Sequence, residues 1–225
     1  MIKLNDEYIN QVKSLYLLVK NKFPQSLILY GQENNIINEL SISLAEIIAS
    51  NKSFLNFRDF HDDLLSAKVH SSPFIYKIEK IYLEDKKRFK KNIYRDDISA
   101  LHSFFNTKDE LNQKRICIID KIDDLSIDAS NSLLKLIEEP NQNSHFIILN
   151  SNKSKMLNTI RSRSFFVRFN KVGNNTFNEN LEIDKKYIDS YRNLTNGSLF
   201  ISKQFIKYEF HKIYDHFLSI LENSN

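Results

Sequence analysis

Ile116-Cys117-Ile118-Ile119-Asp120 is followed by Ala129, Leu133, Leu134 and Ile137, by Pro140, and then by Phe146-Ile147-Ile148-Leu149. The two outer stretches are apolar throughout, the first up to Asp120. They lack the alternation of a half-exposed strand, as suits strands buried on both faces. The residues between them recur at the spacing of one helix face, and proline cannot continue a helix. Together they read as strand, helix, strand, the crossover that a parallel pair of strands requires. Outward from this unit the pattern repeats. Leu27-Ile28-Leu29-Tyr30 ends at Gly31, and Ile37, Leu40, Leu44, Ile47 and Ile48 follow at helical spacing. Phe74-Ile75-Tyr76-Lys77-Ile78 precedes Ile98, Leu101 and Phe105 on a helix face, and Phe165-Phe166-Val167-Arg168-Phe169 is the last run. These runs predict an α/β layer with a mostly parallel, five-stranded sheet over residues 1–170.

Composition narrows the classes. The chain has 225 residues, 41% of them hydrophobic and 27% charged, a globular mix that excludes disorder as the main state. No apolar run approaches the roughly 20 residues that span a bilayer. The opening Met1-Ile2-Lys3-Leu4-Asn5-Asp6 has no signal-peptide pattern. Cys117 is the single cysteine, which leaves no internal disulfide and no four-cysteine zinc site. A soluble, cytoplasmic setting without a membrane partner is expected. Net charge is +4, which permits contact with nucleic acid without demanding it. Glycine is scarce, at Gly31, Gly173 and Gly197 only, whereas a loop that cradles phosphate on backbone N–H groups needs several close together.

After Asn170, Lys171-Val172-Gly173-Asn174-Asn175 reads as a linker, and residues 171–225 as a small helical unit. Ile188 and Tyr191 mark a short helix ending near Asn196-Gly197. Ile206, Phe210, Ile213, Phe217 and Ile220 form the stripe of a helix that packs on another helix, within its own chain or across subunits.

Three stretches carry a family resemblance: Ile118-Ile119-Asp120-Lys121-Ile122-Asp123-Asp124-Leu125, Asp128-Ala129-Ser130-Asn131-Ser132-Leu133-Leu134-Lys135-Leu136-Ile137-Glu138-Glu139-Pro140, and Leu157-Asn158-Thr159-Ile160-Arg161-Ser162-Arg163-Ser164. In this order the chain resembles the AAA+ clamp-loader family over roughly residues 20–170, and within it the delta prime subunits of bacterial DNA polymerase III. The resemblance implies a AAA+ P-loop-like domain followed by a helical lid. It also implies a role in DNA replication, with a gamma/tau-type ATPase subunit and a delta subunit as partners. The sliding clamp and primed DNA would be met indirectly.

Matched residue by residue, the resemblance predicts a degenerate nucleotide site. A P-loop needs G-x-x-x-x-G-K-[ST]. Here Gly31 stands first, but Ile36 replaces the second glycine, Ile37 the lysine and Asn38 the hydroxyl residue, and Glu33 adds negative charge. The Asp-Glu pair that would close the Walker B strand is Asp120-Lys121. An ammonium with an ordinary pKa cannot act as a base at neutral pH, and Asp120 alone reads as a loop-capping residue rather than a metal ligand. Gly197-Ser198-Leu199-Phe200 puts Phe200 where the lid arginine would stand. No ATPase activity in cis, no cofactor and no metal are expected, although the chain would belong to a DNA-directed DNA polymerase holoenzyme. Conversely, Ser162-Arg163 keeps the family's trans arginine finger, with Ser164 where cysteine is usual. Ala49 to Ser72 holds no cysteine for the zinc module of many relatives, and the third, collar domain is expected to be missing or reduced.

Two other readings stay open: an active clamp-loader ATPase, or a degenerate AAA+-like interaction module outside replication. Lys86-Lys87-Arg88-Phe89-Lys90-Lys91 is the densest basic run, read as a solvated loop between a strand and a helix in preference to a contact with DNA phosphates.

Overall fold

The computed structural model describes residues 6–31, 34–65, 72–107, 113–150, 158–169 and 185–194, together with residues 202, 206, 209–213 and 215–216. The chain divides into two compact units, Asn10–Phe169 and Met1–Ile9 with Asn170–Asn225.

Helix α1 (Asp6–Asn21), which from Asn10 on belongs to the larger unit, leads to β1 (Ser26–Gly31), α2 (Asn34–Ala49), α3 (Phe57–Leu65) and β2 (Ile75–Ile78). A hairpin of β3 (Tyr82–Leu83) and β4 (Arg88–Phe89) precedes α4 (Arg95–Asn106). Then come β5 (Arg115–Ile119), a 3-10 turn (Ile122–Asp124), α5 (Ile127–Glu138), β6 (Ser144–Asn150), α6 (Asn158–Ser162) and β7 (Phe165–Phe169). The five main strands lie in the order β2-β5-β6-β1-β7, and every neighbouring pair is parallel. All five predicted runs are strands of this one sheet.

Side chains alternate between the faces of a strand, and the register shows what each face covers. Ile28, Cys117, Ile119, Phe146 and Ile148 share one face and pack into a core with Ile98, Leu101 and Phe105 of α4 and Ala129, Leu133 and Ile137 of α5. The opposite-facing Leu27, Leu29, Ile118 and Ile147 are equally buried, and α2 lies along β1, β5 and β6. Both faces are therefore dry, which accounts for apolar runs without alternation. Burial pushes the Cys117 thiol well above its ordinary pKa, so it stays a neutral core group.

Gly31, where the first apolar run ends, is constrained by packing. Gly31 closes β1 opposite Phe169 of β7. A Cβ there would stand 2.5 Å from the Phe169 carbonyl oxygen and 2.5 Å from Ile37 Cδ1. Backbone cannot yield as a side-chain tip can, so Gly31→Ala is expected to destabilise the unit by about 1–3 kcal/mol through overpacking. A lowered urea midpoint with an unchanged m-value checks this.

The run at Lys86–Lys91 is not a plain loop. Tyr82 pairs with Phe89 and Leu83 with Arg88 in an antiparallel ladder. In the smaller unit, helix Lys185–Leu194 buries Tyr187, Ile188 and Tyr191. The Tyr187 hydroxyl donates to the Asp215 carboxylate, and Tyr191 Oη lies 3.4 Å from His211 Nδ1. On the predicted C-terminal stripe, Ile206 and Phe210 are half-buried and Ile213 is exposed. Phe217, Ile220, the linker 171–175, Glu33 and Gly197 to Phe200 lie outside the described residues.

Candidate functional site

Because the sheet is parallel, its strands end along one edge. In strand order, Asp120 follows β5, Asn150 closes β6 and Gly31 closes β1, so the three stand on adjacent strands. Open α/β sheets bind ligands in the crevice at this carboxyl edge. Asn150, almost fully buried and in register with Tyr30, is a polar member of the edge that the sequence motifs do not include. An amide directly after an apolar run is its one visible signal.

The residues at this edge are apolar or engaged within the chain. Ile37, which the resemblance sets at the P-loop lysine, is 3% exposed and packs beside Gly31 as an apolar side chain turned inward. Ile36 lies in the first turn of α2, and its side chain is outside the described residues. Asn38 is half-buried, and its carbonyl accepts the Ser41 hydroxyl at 2.6 Å. Asp120 donates its backbone N–H to the Ile78 carbonyl, and its carboxylate faces the Lys77 ammonium at 4.0 Å. Lys77 is held more tightly by Glu79, at 2.6 Å. Lys121 is exposed and enters the 3-10 turn by accepting the Asp124 N–H at 3.1 Å. Thus the carboxylate that ends β5 meets a cation of its own chain. Among the described residues no three His, Cys, Asp or Glu are grouped to hold a metal.

The second cluster joins two of the motifs. Ser126 accepts the Ala129 N–H and caps the start of α5, and the helix runs to Glu138 before Pro140 stops it. A carboxylate at a helix C-terminus is unfavourable beside the negative end of the macrodipole, and a nearby cation offsets it. That cation is Arg163, whose Nε lies 2.9 Å from Glu138 Oε1. One terminal guanidinium nitrogen donates to the Thr159 carbonyl at 3.1 Å and to Ser162 Oγ at 3.3 Å. The other has no hydrogen-bond partner among the described residues. Ser162 Oγ itself donates to the Thr159 carbonyl at 2.9 Å.

The turn beneath is pinned. Ser164 Oγ donates to the Ile160 carbonyl at 2.8 Å and shares a 2.8 Å hydrogen bond with Ser26 at the start of β1. A serine hydroxyl thus does the tethering. The Arg163 side chain remains 44% exposed. Arg161, its neighbour in sequence, is occupied differently: its guanidinium lies 5.8 Å from the centre of the Phe166 ring. The structure therefore brings Ser162, Arg163 and Glu138 together, and separately lines Gly31, Ile37, Asp120 and Lys121 along or beside the carboxyl edge.

Comparison with known proteins bears on the family and the fold. A segment is 39% identical over 69 residues to DNA polymerase III subunit delta' of Buchnera aphidicola, covering 29% of this chain and 20% of that protein. Another is 33% identical over 72 residues to the Bacillus subtilis subunit delta', covering 32% and 22%. The matched segments thus span about a fifth of each relative's length. Among solved structures, a DNA polymerase III gamma subunit-related protein of Thermotoga maritima superimposes with a TM-score of 0.50 and 21% identity, over 81% of this chain and 49% of that one. The Thermotoga maritima RuvB Holliday junction branch migration motor gives 0.53 and 11%, over 91% and 61%. At these identities the likeness is one of fold. A family model described as DNA polymerase III, delta subunit, matches residues 5–173, well over half of the sequence, and the chain belongs to that family.

Proposed function

We propose that this chain is a clamp-loader subunit of DNA polymerase III that acts in DNA replication, hydrolyses no ATP itself and completes the ATP site of a neighbouring subunit. Its partners would be a gamma/tau-type ATPase subunit and a delta subunit in the cytoplasm, and through them the sliding clamp and primed DNA. The observation that carries the reading is Arg163: an exposed guanidinium on a pinned turn, held at 2.9 Å by the last residue of α5. A surface ion pair of this kind contributes about 0–1 kcal/mol. Glu138 therefore orients the arginine yet releases it readily to a triphosphate on the adjoining subunit. The planar fork suits two phosphate oxygens at once, and charge spreads over such oxygens during phosphoryl transfer. The inward Ile37 and the Lys77-facing Asp120 support the other half of the reading, that the chain's own site is inert.

Titration of the purified chain with a fluorescent ATP analogue tests that half. No saturable binding is expected at micromolar nucleotide. Micromolar affinity would mean that the site is alive and that the chain is an ATPase subunit.

A further inference from the structure

The hairpin β3–β4 is not used by the cluster at Arg163 or by the degenerate edge. Between Glu79 and Lys91 the chain places six basic against three acidic side chains, most of the excess charge of a +4 protein. The basic residues fall into two groups. Lys80 pairs with Asp124 at 2.7 Å and Lys90 approaches Asp97 at 3.8 Å, which ties the hairpin's base to the unit. Lys86, Lys87, Arg88 and Lys91 are exposed and have no ion pair among the described residues. Lys87, at φ 48°, holds the left-handed conformation that glycine would adopt more cheaply, yet a cation stands there.

The apolar side is equally unusual. Leu83 is half-buried, and Arg88, across the ladder from it, shares the face opposite the rings. Tyr82 and Phe89, paired across the ladder, are 49% and 60% exposed, with ring centroids 5.1 Å apart in an edge-to-face arrangement. A ladder of two rungs is marginal alone, and here its aromatic pair lies on the outside rather than in the core. Cations flanking exposed rings are what single-stranded nucleic acid calls for: phosphates meet the ammonium and guanidinium groups, and an unstacked base lies on a ring face. An acidic protein segment would satisfy the charges alone. A duplex, whose bases are already stacked, would leave the rings idle.

We propose that the β3–β4 hairpin binds single-stranded nucleic acid, with Lys86, Lys87 and Lys91 on the phosphates and the Tyr82–Phe89 pair stacking a base. This does not rest on the finger reading, since Arg163 takes no part in it.

The test is fluorescence anisotropy of labelled oligothymidylate with the full chain over a salt series. Lys86→Glu/Lys87→Glu is expected to weaken binding at least about tenfold and to flatten the slope of log affinity against log salt by about 1.4, at roughly 0.7 for each phosphate no longer neutralised. Phe89→Ala should weaken binding about fivefold or more with the slope unchanged, the mark of a missing stack rather than a missing charge. Lys20→Glu/Lys22→Glu, an equal charge change elsewhere, should alter affinity by less than about threefold, because only phosphates met directly count fully. All substituted hairpin residues are exposed, so circular dichroism and melting should match the parent. Absence of oligothymidylate binding at low salt overturns the proposal. So does an equal loss from the Lys20/Lys22 pair, an unchanged affinity in Phe89→Ala, or a preference for duplex.

Discussion

Replacing Arg163 with alanine is expected to leave this chain folded and assembled while lowering ATP turnover of the reconstituted loader at least about tenfold, since arginine fingers contribute about 10³–10⁵ in rate. Folding should survive because the side chain is 44% exposed and its ion pair with Glu138 is a surface one. The drop arises at the neighbour, where charge developing on the γ-phosphoryl oxygens loses a fixed countercharge. Three companions make the result specific. Arg163→Lys should not restore turnover, because a point charge lacks the fork that spans two oxygens. Arg161→Ala should change it little, because that guanidinium is engaged with the Phe166 ring. Glu138→Gln keeps an acceptor beside Nε and removes only a weak attraction, so its effect should stay within about threefold, below 1 kcal/mol. Turnover unchanged by Arg163→Ala, in a complex shown to contain the variant, would remove the finger assignment.

The layout behind this prediction is partly visible in the amino-acid order. The three central strands are legible because both faces of the sheet are covered there, which forces continuous apolar runs such as Ile116–Ile119 and Phe146–Leu149. The pairing of Glu138 with Arg163 is not. Each motif is recognisable, yet they come from separate elements, and only the ending of α5 beside the turn after α6 brings them to 2.9 Å. The helix α1 is also hard to see. Its buried Val12, Leu15 and Tyr16 have helical spacing, but Lys13 and Ser14 between them and Lys20 and Asn21 after them thin the signal. At Lys86–Lys91 the density of charge suggests a loop. Two-residue strands carry almost no periodicity, so a hairpin made of Tyr82–Leu83 and Arg88–Phe89 has no pattern to detect. Gly31 shows a subtler gap: sequence explains a glycine at the end of a strand as a turn, and only the nearness of the Phe169 carbonyl reveals a packing requirement.

Placing at position 37 the lysine that the proposed reading aligns there should damage the chain rather than create a nucleotide site. Ile37 is 3% exposed, so Ile37→Lys removes about 1.5–3 kcal/mol of apolar burial and takes an ammonium into the same space. The new charge would also sit in the first turns of α2, where the positive end of the helix dipole opposes it. Partial escape of the long side chain toward solvent moderates the penalty, leaving an expected destabilisation of about 2–4 kcal/mol. No micromolar ATP affinity should appear, because Ile36 still stands where the loop needs glycine and Asn38 where it needs a hydroxyl.

The pH dependence separates desolvation from simple overpacking. A buried lysine has its pKa lowered below the free value of about 10.4, so the folded state holds fewer protons than the unfolded one between those two values. Stability of the variant must then rise relative to the parent as pH climbs toward 10. A steric penalty alone would be flat over that range. Urea unfolding of parent and variant at pH 7 and pH 9.5 reads the difference directly. An Ile37→Lys protein that kept parental stability and bound ATP would show that the cradle had survived with only its cation missing, and the inert-site half of the proposal would fall.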